Sequence, residues 1–327
     1  MIAFWLVILA VSMLIYVLLD GFDLGVGMLF GLARTEQPRL SMMSAVAPIW
    51  DGNETWLVVA GVILFGAFPL VYSTLMSAFY LPVLLMLAGL ILRGVAFEFR
   101  HQAKRTRWVW GASFAVGSFV AALMQGVMVG ALVEGLPLSG GRYVGGTLGW
   151  LGPFALLCGF GLCVGYALLG ACWLVRKCEG EVRAAAYRLI PPLSVAVLGF
   201  VVIVFGVALK EHMLILNRWL ERPYLLICPL IAAGAATTLA VSVRRRRDGP
   251  PFYMAALTFA AAFGALGISF WPYMIPFSIT IDEAAAPHAS LAFMLWAGVL
   301  VFPLMLIYTA TSLTVFRGKV ATAADHY

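Results

Sequence analysis

The chain has 327 residues, of which 63% are hydrophobic and 11% are charged, and its formal net charge is +6. Soluble globular proteins are about 45–50% apolar and about 25% charged, so this composition excludes a soluble protein and indicates an integral membrane protein. The excess of basic residues is explained below by membrane orientation, and we expect no nucleic-acid partner.

Long apolar runs predict nine membrane-spanning helices. A helix needs about 20 mainly apolar residues to cross a bilayer, and continuous apolar runs do not have the alternation of a membrane β-barrel. We therefore expect an all-α fold. The predicted spans are residues 2–31, 48–72, 75–98, 108–133, 148–175, 188–209, 224–243, 252–275 and 289–316.

The basic residues predict the orientation. Sixteen of the 21 Lys and Arg follow odd-numbered spans, for example at Arg34, Lys104 and Arg244. Arg93 lies within a span, and the opposite face carries only Arg142, Lys210, Arg218 and Arg222. Because Lys and Arg are enriched in cytoplasmic loops, we expect the N-terminus outside and the C-terminus in the cytoplasm.

A weak internal repeat predicts two related halves. Leu19–Gly27 aligns with Leu157–Gly165, and Val62–Gly66 aligns with Val202–Gly206. The whole chain, 1–327, is then one membrane domain made of two pseudo-symmetric four-helix bundles, 1–134 and 148–275, with a peripheral helix at 289–316. Where the first copy has Asp20 and Asp23, the second has Cys158 and Gly161.

Charged residues in the first three spans predict a functional site. Asp20 and Asp23 lie late in span 1, Asp51 and Glu54 lie at the start of span 2, and Arg93 lies in span 3. With Glu98, they all fall toward the predicted cytoplasmic side, so the three helices can bring them together. Carboxylates crowded near an arginine can bind and release protons near neutral pH, as a proton entry path requires.

Each group also has a structural interpretation. Asp51 and Glu54 fit an acidic capping box at the start of span 2. Asp20 and Asp23 fit a solvated helix end, and Arg93 fits a side chain that reaches toward the lipid headgroups.

The histidines argue against a haem in this chain. His101, His212, His288 and His326 all fall in predicted connections or in the tail. A haem buried between helices usually takes an axial ligand from inside the bundle, so we expect this chain to bind no haem and no other metal firmly.

Two motifs resemble subunit II of the cytochrome bd quinol oxidases. They are Asp20-Gly-Phe-Asp-Leu-Gly-Val-Gly27 and Trp50-Asp-Gly-Asn-Glu-Thr-Trp56, followed by Phe97-Glu-Phe-Arg100 after Arg93. The resemblance implies a nine-helix, non-haem subunit in the bacterial inner membrane. Its partner, subunit I, would hold two b-type haems, one d-type haem and the quinol-oxidising loop.

The resemblance also implies roles for residues. The complex would oxidise quinol and reduce oxygen to water with protons drawn from the cytoplasm, without pumping. Asp51 matches the proton-path aspartate of the family, and Asp20, Asp23 and Arg93 match charged positions near it. Glu98 stands where the family often has aspartate. Trp50, Asn53 and Trp56 belong to the same motif as supporting residues.

The sequence leaves several points open. It does not identify the quinol, and it does not decide whether this chain holds a quinone or whether small single-span subunits join the complex. The main hypothesis is a subunit that supports subunit I and lines a proton route, without catalysing the reaction alone. A proton-coupled secondary transporter and a purely structural scaffold are the alternatives.

Overall fold

The computed structural model describes residues 1–211 and 219–320, and it is mainly helical. His212, Arg218 and His326, used in the sequence analysis, lie outside these residues. The helices are α1 (Ile2–Phe30), α2 (Glu36–Ser44), α3 (Trp50–Ala67), α4 (Pro69–Ala78), α5 (Tyr80–Gln102), α6 (Arg107–Glu134), α7 (Pro153–Lys177), α8 (Gly180–Glu211), α9 (Ile227–Arg244, after a 3₁₀ turn at Pro223–Leu226), α10 (Pro250–Phe270), α11 (Ile281–Ala284) and α12 (His288–Val315). Two short antiparallel hairpins pair β1 (Leu138–Ser139) with β2 (Arg142–Tyr143) and β3 (Tyr273–Ile275) with β4 (Ile279–Thr280).

Eight of the described helices are long and apolar enough to cross a membrane, and the bent pair α3–α4 is a ninth candidate. The predicted span 48–72 is wrong in its last five residues, because the chain bends by 119° between α3, which ends at Ala67, and α4. Pro69 causes the break. Proline has no N–H for the helix, and it moves the preceding residue out of helical geometry, as the φ of −134° and ψ of 58° at Phe68 show.

Other predicted boundaries also differ from the structure. The connection predicted between residues 175 and 188 is shorter in the structure and consists of Cys178 and Glu179. It can be this short because Gly180 has a φ of +57° and reverses the chain sharply. Arg183 and Arg188 therefore lie on α8. Helix α10 ends at Phe270 and not at the predicted residue 275, and the β3–β4 hairpin follows it. The short, polar helix α2 was not predicted.

Basic connections meet at one end of the bundle, which we call the basic end. Lys177 donates to the carbonyls of Phe316 and Gly318, so α7 and α12 end together. Arg100 of α5 pairs with Glu36 of α2 at 2.8 Å. Ala286 N–H donates to the Ala67 carbonyl at the other end. The alternating direction of the helices and the side of the membrane that the basic end faces both stay predictions.

The centre of the fold consists of α1, α6 and α7. Helix α1 contacts α3, α6 and α7, whereas α12 packs mainly on α3 and is otherwise exposed. Gly25 of α1 and Gly170 of α7 lie backbone to backbone at the crossing, where a Cβ on either residue would collide with the other helix. This close approach brings the polar residues of α1 into the core. The division into two bundles and a peripheral helix stays a prediction.

Candidate functional site

A buried arginine joins the first three predicted spans. Arg93 on α5 is fully buried, and its two terminal nitrogens bind two different carboxylates. Nη1 donates to Asp20 Oδ1 of α1 at 2.6 Å, and Nη2 donates to Glu54 Oε2 of α3 at 2.7 Å. The predicted meeting of charges from these helices is therefore present for Asp20, Glu54 and Arg93, which we call the Arg93 cluster.

The cluster lies deep in the bundle. Asp20 is ten residues before the end of α1, and Arg93 is nine before the end of α5, so at 1.5 Å per residue both lie about 14–15 Å from the basic end. Asp20 is 0% exposed and Arg93 is 0% exposed. A solvated helix end and a headgroup-seeking arginine are thus excluded as explanations of these two residues.

Asp23 is buried beside the cluster. Its Oδ2 accepts a hydrogen bond of 2.7 Å from Asn53 Nδ2 of α3, and its other oxygen makes no hydrogen bond with any described residue. Asn53 and Glu54 are adjacent in sequence, so one turn of α3 supplies a partner for Asp23 and a second carboxylate for Arg93.

The other predicted acids lie at the surface of this chain. Asp51 and Glu98 are exposed, and Glu54 is 26% exposed, so it connects the buried cluster with the surface. The capping interpretation of Asp51 and Glu54 is wrong, because Ile49 occupies the N-cap of α3 and no side chain caps it.

Aromatic residues of the motif support this arrangement. The Trp50 ring stacks on Phe97 at 5.0 Å and faces the Arg93 guanidinium at 5.8 Å. Trp56 is fully buried and donates to Thr309 Oγ1 of α12 at 3.0 Å. Trp50 therefore packs on the cluster, whereas Trp56 fixes α12 against α3.

Three polar residues that the sequence analysis missed lie in the core near Asp20. Gln125 of α6 donates to Tyr16 Oη of α1 at 2.6 Å, and Tyr166 of α7 donates to Gln125 Oε1 at 3.0 Å. All three are buried. Two signals could have identified them: Tyr16 lies one helical turn before Asp20, and Gln125 is an isolated amide in an apolar run.

Five buried polar atoms make no hydrogen bond within the described part of the chain: Asp20 Oδ2, Asp23 Oδ1, Arg93 Nε, Arg100 Nε and Ser118 Oγ. Three of them belong to the Arg93 cluster or to Asp23. A buried polar atom without a partner is costly, and ordered water is its usual partner inside proteins.

A separate ion cluster lies at the basic end, outside the spans. Asp248 accepts hydrogen bonds from Arg183, Lys319 and Tyr187. Partial burial raises the pKa of Asp248, but these hydrogen bonds outweigh it and lower the pKa to about 2. The cluster ties the segment after α12 to α8 and to the α9–α10 connection.

Across residues 1–211 and 219–320, no group of three or more His, Cys, Asp or Glu side chains could hold a metal ion. His101 and His288 were predicted to lie in connections, and this is wrong. His101 lies in the last turn of α5 and His288 in the first turn of α12. The five cysteines are free thiols. That this chain binds no haem remains a prediction.

Comparisons with known proteins give the same family by two routes. The profile of the family described as cytochrome bd terminal oxidase subunit II matches residues 1–316. The cytochrome bd-I ubiquinol oxidase subunit 2 of Escherichia coli K12 is 31% identical over 348 aligned positions, which cover 94% of this chain and 91% of that protein. The cytochrome bd ubiquinol oxidase subunit 2 of Bacillus subtilis is 27% identical over 334 positions, with 97% and 96% coverage.

A solved structure has the same fold. The bd oxidase from Geobacillus thermodenitrificans includes a chain that superposes with a TM-score of 0.80 at 16% identity, covering 96% of both chains. At this identity, the similarity establishes the fold only.

Proposed function

Because this chain belongs to the cytochrome bd terminal oxidase subunit II family, we propose that it is the non-haem subunit of a quinol:oxygen oxidoreductase and that it conducts protons toward its partner. It is a multi-pass protein of the bacterial inner membrane and a subunit of a respiratory oxidase. Membership of this family favours an oxidase subunit over a secondary transporter. The partner would be subunit I, which would carry two b-type haems and one d-type haem.

The Arg93 cluster is the observation that carries the proton-path proposal. Reduction of oxygen to water consumes protons, so buried haems need a hydrated or hydrogen-bonded route from water. The cluster and Asp23 together place three carboxylates around one guanidinium inside a membrane bundle. Ionisable residues inside membrane proteins are costly, and they typically mark ion or proton pathways.

The exposure of the acids supports an order for the route. Asp51 is exposed, Glu54 is 26% exposed and Asp20 is 0% exposed. Protons would therefore enter near Asp51, exchange with the buried Arg93–Asp20 pair and leave the cluster at Glu54, its partly exposed acid. The unpartnered atoms Asp20 Oδ2, Asp23 Oδ1 and Arg93 Nε are sites where water would complete the hydrogen-bonded chain.

The position of Glu54 supports a protein partner over it. An exposed apolar face continues along α3 from Glu54. It consists of Val58, Val62 and Phe65, which are 62%, 58% and 65% exposed, and we call it the α3 stripe. Residues at this spacing share one helix face. A carboxylate at the edge of an apolar face is poorly accommodated by lipid alone, so we propose that subunit I covers the α3 stripe and receives the protons.

Turnover per haem in the purified complex tests the proposal. In Glu54→Gln and Asp51→Asn, we expect oxygen consumption per haem to fall by roughly tenfold or more, because a positioned proton-transfer group contributes at least that factor. Asp282→Asn is the matched control, since it removes an exposed carboxylate at the other end of the bundle.

A purely structural scaffold predicts a different result. Haem content per complex would fall in Glu54→Gln and Asp51→Asn, while turnover per assembled haem would match that of Asp282→Asn. That outcome would reject the proton route and leave only the supporting role of the chain.

A further inference from the structure

The buried polar chain Tyr166–Gln125–Tyr16 crosses three helices and is not used by the route proposed above. Tyr16 is 3% exposed, Tyr166 is 0% exposed and Gln125 is 8% exposed. Polar side chains are unfavourable in a membrane bundle unless they are hydrogen-bonded. The three side chains hydrogen-bond mainly to one another. The direction of these hydrogen bonds indicates which group lies at the end of the series.

The two hydrogen bonds run in one direction, from α7 through α6 to α1. The Tyr166 hydroxyl donates to Gln125 Oε1, and Gln125 Nε2 donates to Tyr16 Oη. The Tyr16 oxygen is thus an acceptor, and its own proton remains available for another acceptor. A hydroxyl carries one proton and can accept and donate at the same time.

Asp20 is the acceptor that the geometry provides. Tyr16 and Asp20 are four residues apart on α1, so their side chains are neighbours on one helix face. The Tyr16 hydroxyl and the Asp20 carboxylate are placed to share a side-chain hydrogen bond. Oδ1 of Asp20 binds Arg93, while its Oδ2 makes no geometrically ideal hydrogen bond with the described residues.

We propose that Tyr16, held by Gln125 and Tyr166, is a positioning residue that donates its hydroxyl proton to Asp20 Oδ2 and fixes Asp20 as the anionic partner of Arg93. The other groups that face Asp20 are Glu54, Asp23 and Tyr166. The two flanking acids repel a negative charge on Asp20, so a neutral donor on its free oxygen would stabilise that charge without adding another ion.

The packing of α7 supports this assignment. The Tyr166 ring lies where a Cβ on Gly21 would be, directly after Asp20, and the Gly25–Gly170 contact allows α7 to approach this closely. Tyr166 thus covers the backbone of α1 while its hydroxyl reaches Gln125. The same helix contact that buries Asp20 also completes the chain of donors.

A double-mutant cycle in the intact oxidase complex tests the proposal. We expect Tyr16→Phe to lower oxygen consumption per haem on the order of tenfold, because it removes a hydrogen bond to a charged group. In an Asp20→Asn background, Tyr16→Phe should cause no further loss. Tyr143→Phe is the control, since the Tyr143 hydroxyl donates to the Gly146 carbonyl in the loop after β2, away from the Arg93 cluster.

Two results of the cycle would overturn the proposal. One is an equal fold loss from Tyr16→Phe in both backgrounds. The other is a loss of assembled complex with unchanged turnover per haem, because either result indicates that the hydroxyl contributes only to packing.

A second measurement does not depend on turnover and separates this inference from the proposed function on which it rests. In infrared spectra of the complex, Tyr16→Phe should shift one carboxylate stretching band, and Tyr143→Phe should shift none. An unshifted spectrum in Tyr16→Phe would reject the Tyr16–Asp20 contact. Normal turnover in Asp20→Asn with a shifted band would instead reject the proton route and keep the contact.

Discussion

Arg93 controls the charge balance of the core. Its guanidinium is fully buried and divides its hydrogen bonds between Asp20 and Glu54, which belong to different helices. Removal of one partner from a buried ion pair costs about 3–5 kcal/mol, because it leaves an uncompensated charge. Arg93 therefore stabilises the contact among α1, α3 and α5 while it keeps two carboxylates inside the membrane.

At the basic end, the carboxylate of Asp248 contributes to stability at acid pH. The pKa of Asp248 is about 2 in the folded protein, below its ordinary value of 3.8. A depressed pKa contributes stability that is complete above the unfolded pKa and is lost as the pH falls through the folded one. We therefore expect the thermal midpoint of the purified complex to fall between about pH 4 and pH 2, partly through Asp248.

The variant Asp248→Asn isolates this contribution. Its midpoint should be lower than that of the unmodified protein at neutral pH and should change less between pH 4 and pH 2. Asp282→Asn, at the other end of the bundle, should keep the full pH dependence. The same loss of stability with acid in both variants would contradict the assignment to Asp248.

Residue patterns predicted only part of the site. Asp20 and Arg93 could be predicted, because charges inside apolar runs need partners. The exposure of Asp51 and Glu98 could not be predicted, because it depends on the orientation of α3 and α5 about their own axes. Gln125 stands out as an amide in an apolar run, but no local pattern identifies its partner, because Tyr166 is 41 residues away.

At the level of the helices, close packing of α1 against α7 brings the buried polar residues together. Helices approach most closely where neither has a Cβ, and small residues are enriched at such crossings in membrane proteins. Gly25 and Gly170 provide this at the crossing of α1 and α7. The Gly-rich motif after Asp20 therefore has a packing role next to its charged residues.

Substitution at this crossing should disrupt the bundle. In Gly25→Ala, the added methyl group would collide with the Tyr166 carbonyl, so the helices must separate. Such overpacking costs about 1–3 kcal/mol or more. We expect a lower thermal midpoint and less assembled complex. Gly31→Ala is the control, because its added methyl group meets no atom within 4 Å; equal midpoints in the two variants would contradict this account.

Elements were predicted best where apolar runs are long. Helices α1, α6 and α7 lie close to their predicted bounds. The break before Pro69 was missed because the apolar run continues through it, and composition alone does not register a bend. Helix α2 was missed because it is short and polar, and its position depends on the Glu36–Arg100 pair at the basic end.

For the whole molecule, the α3 stripe connects this chain with its proposed partner. The stripe is apolar, it is exposed in the isolated chain, and it begins beside Glu54. A proton route that opened to lipid at this place would have no acceptor. The route and the subunit interface are therefore expected on the same face.

Photo-crosslinking in native membranes tests this placement. A benzophenone amino acid at Val58, which is 62% exposed on α3, should crosslink to the haem-bearing subunit. The same probe at Leu230, which is 69% exposed on α9, is the control and should crosslink to lipid only. Crosslinks to the partner from Leu230 but not from Val58 would place the interface elsewhere.

The central claim is that protons reach the partner through the Arg93 cluster. The most direct test is the rate of proton uptake from the medium on the basic-end side after the fully reduced, reconstituted complex is mixed with oxygen. We predict that Glu54→Gln and Asp20→Asn slow this uptake by roughly tenfold or more, whereas Asp282→Asn leaves it unchanged. Uptake at the unmodified rate in the fully assembled Glu54→Gln and Asp20→Asn complexes would contradict the claim.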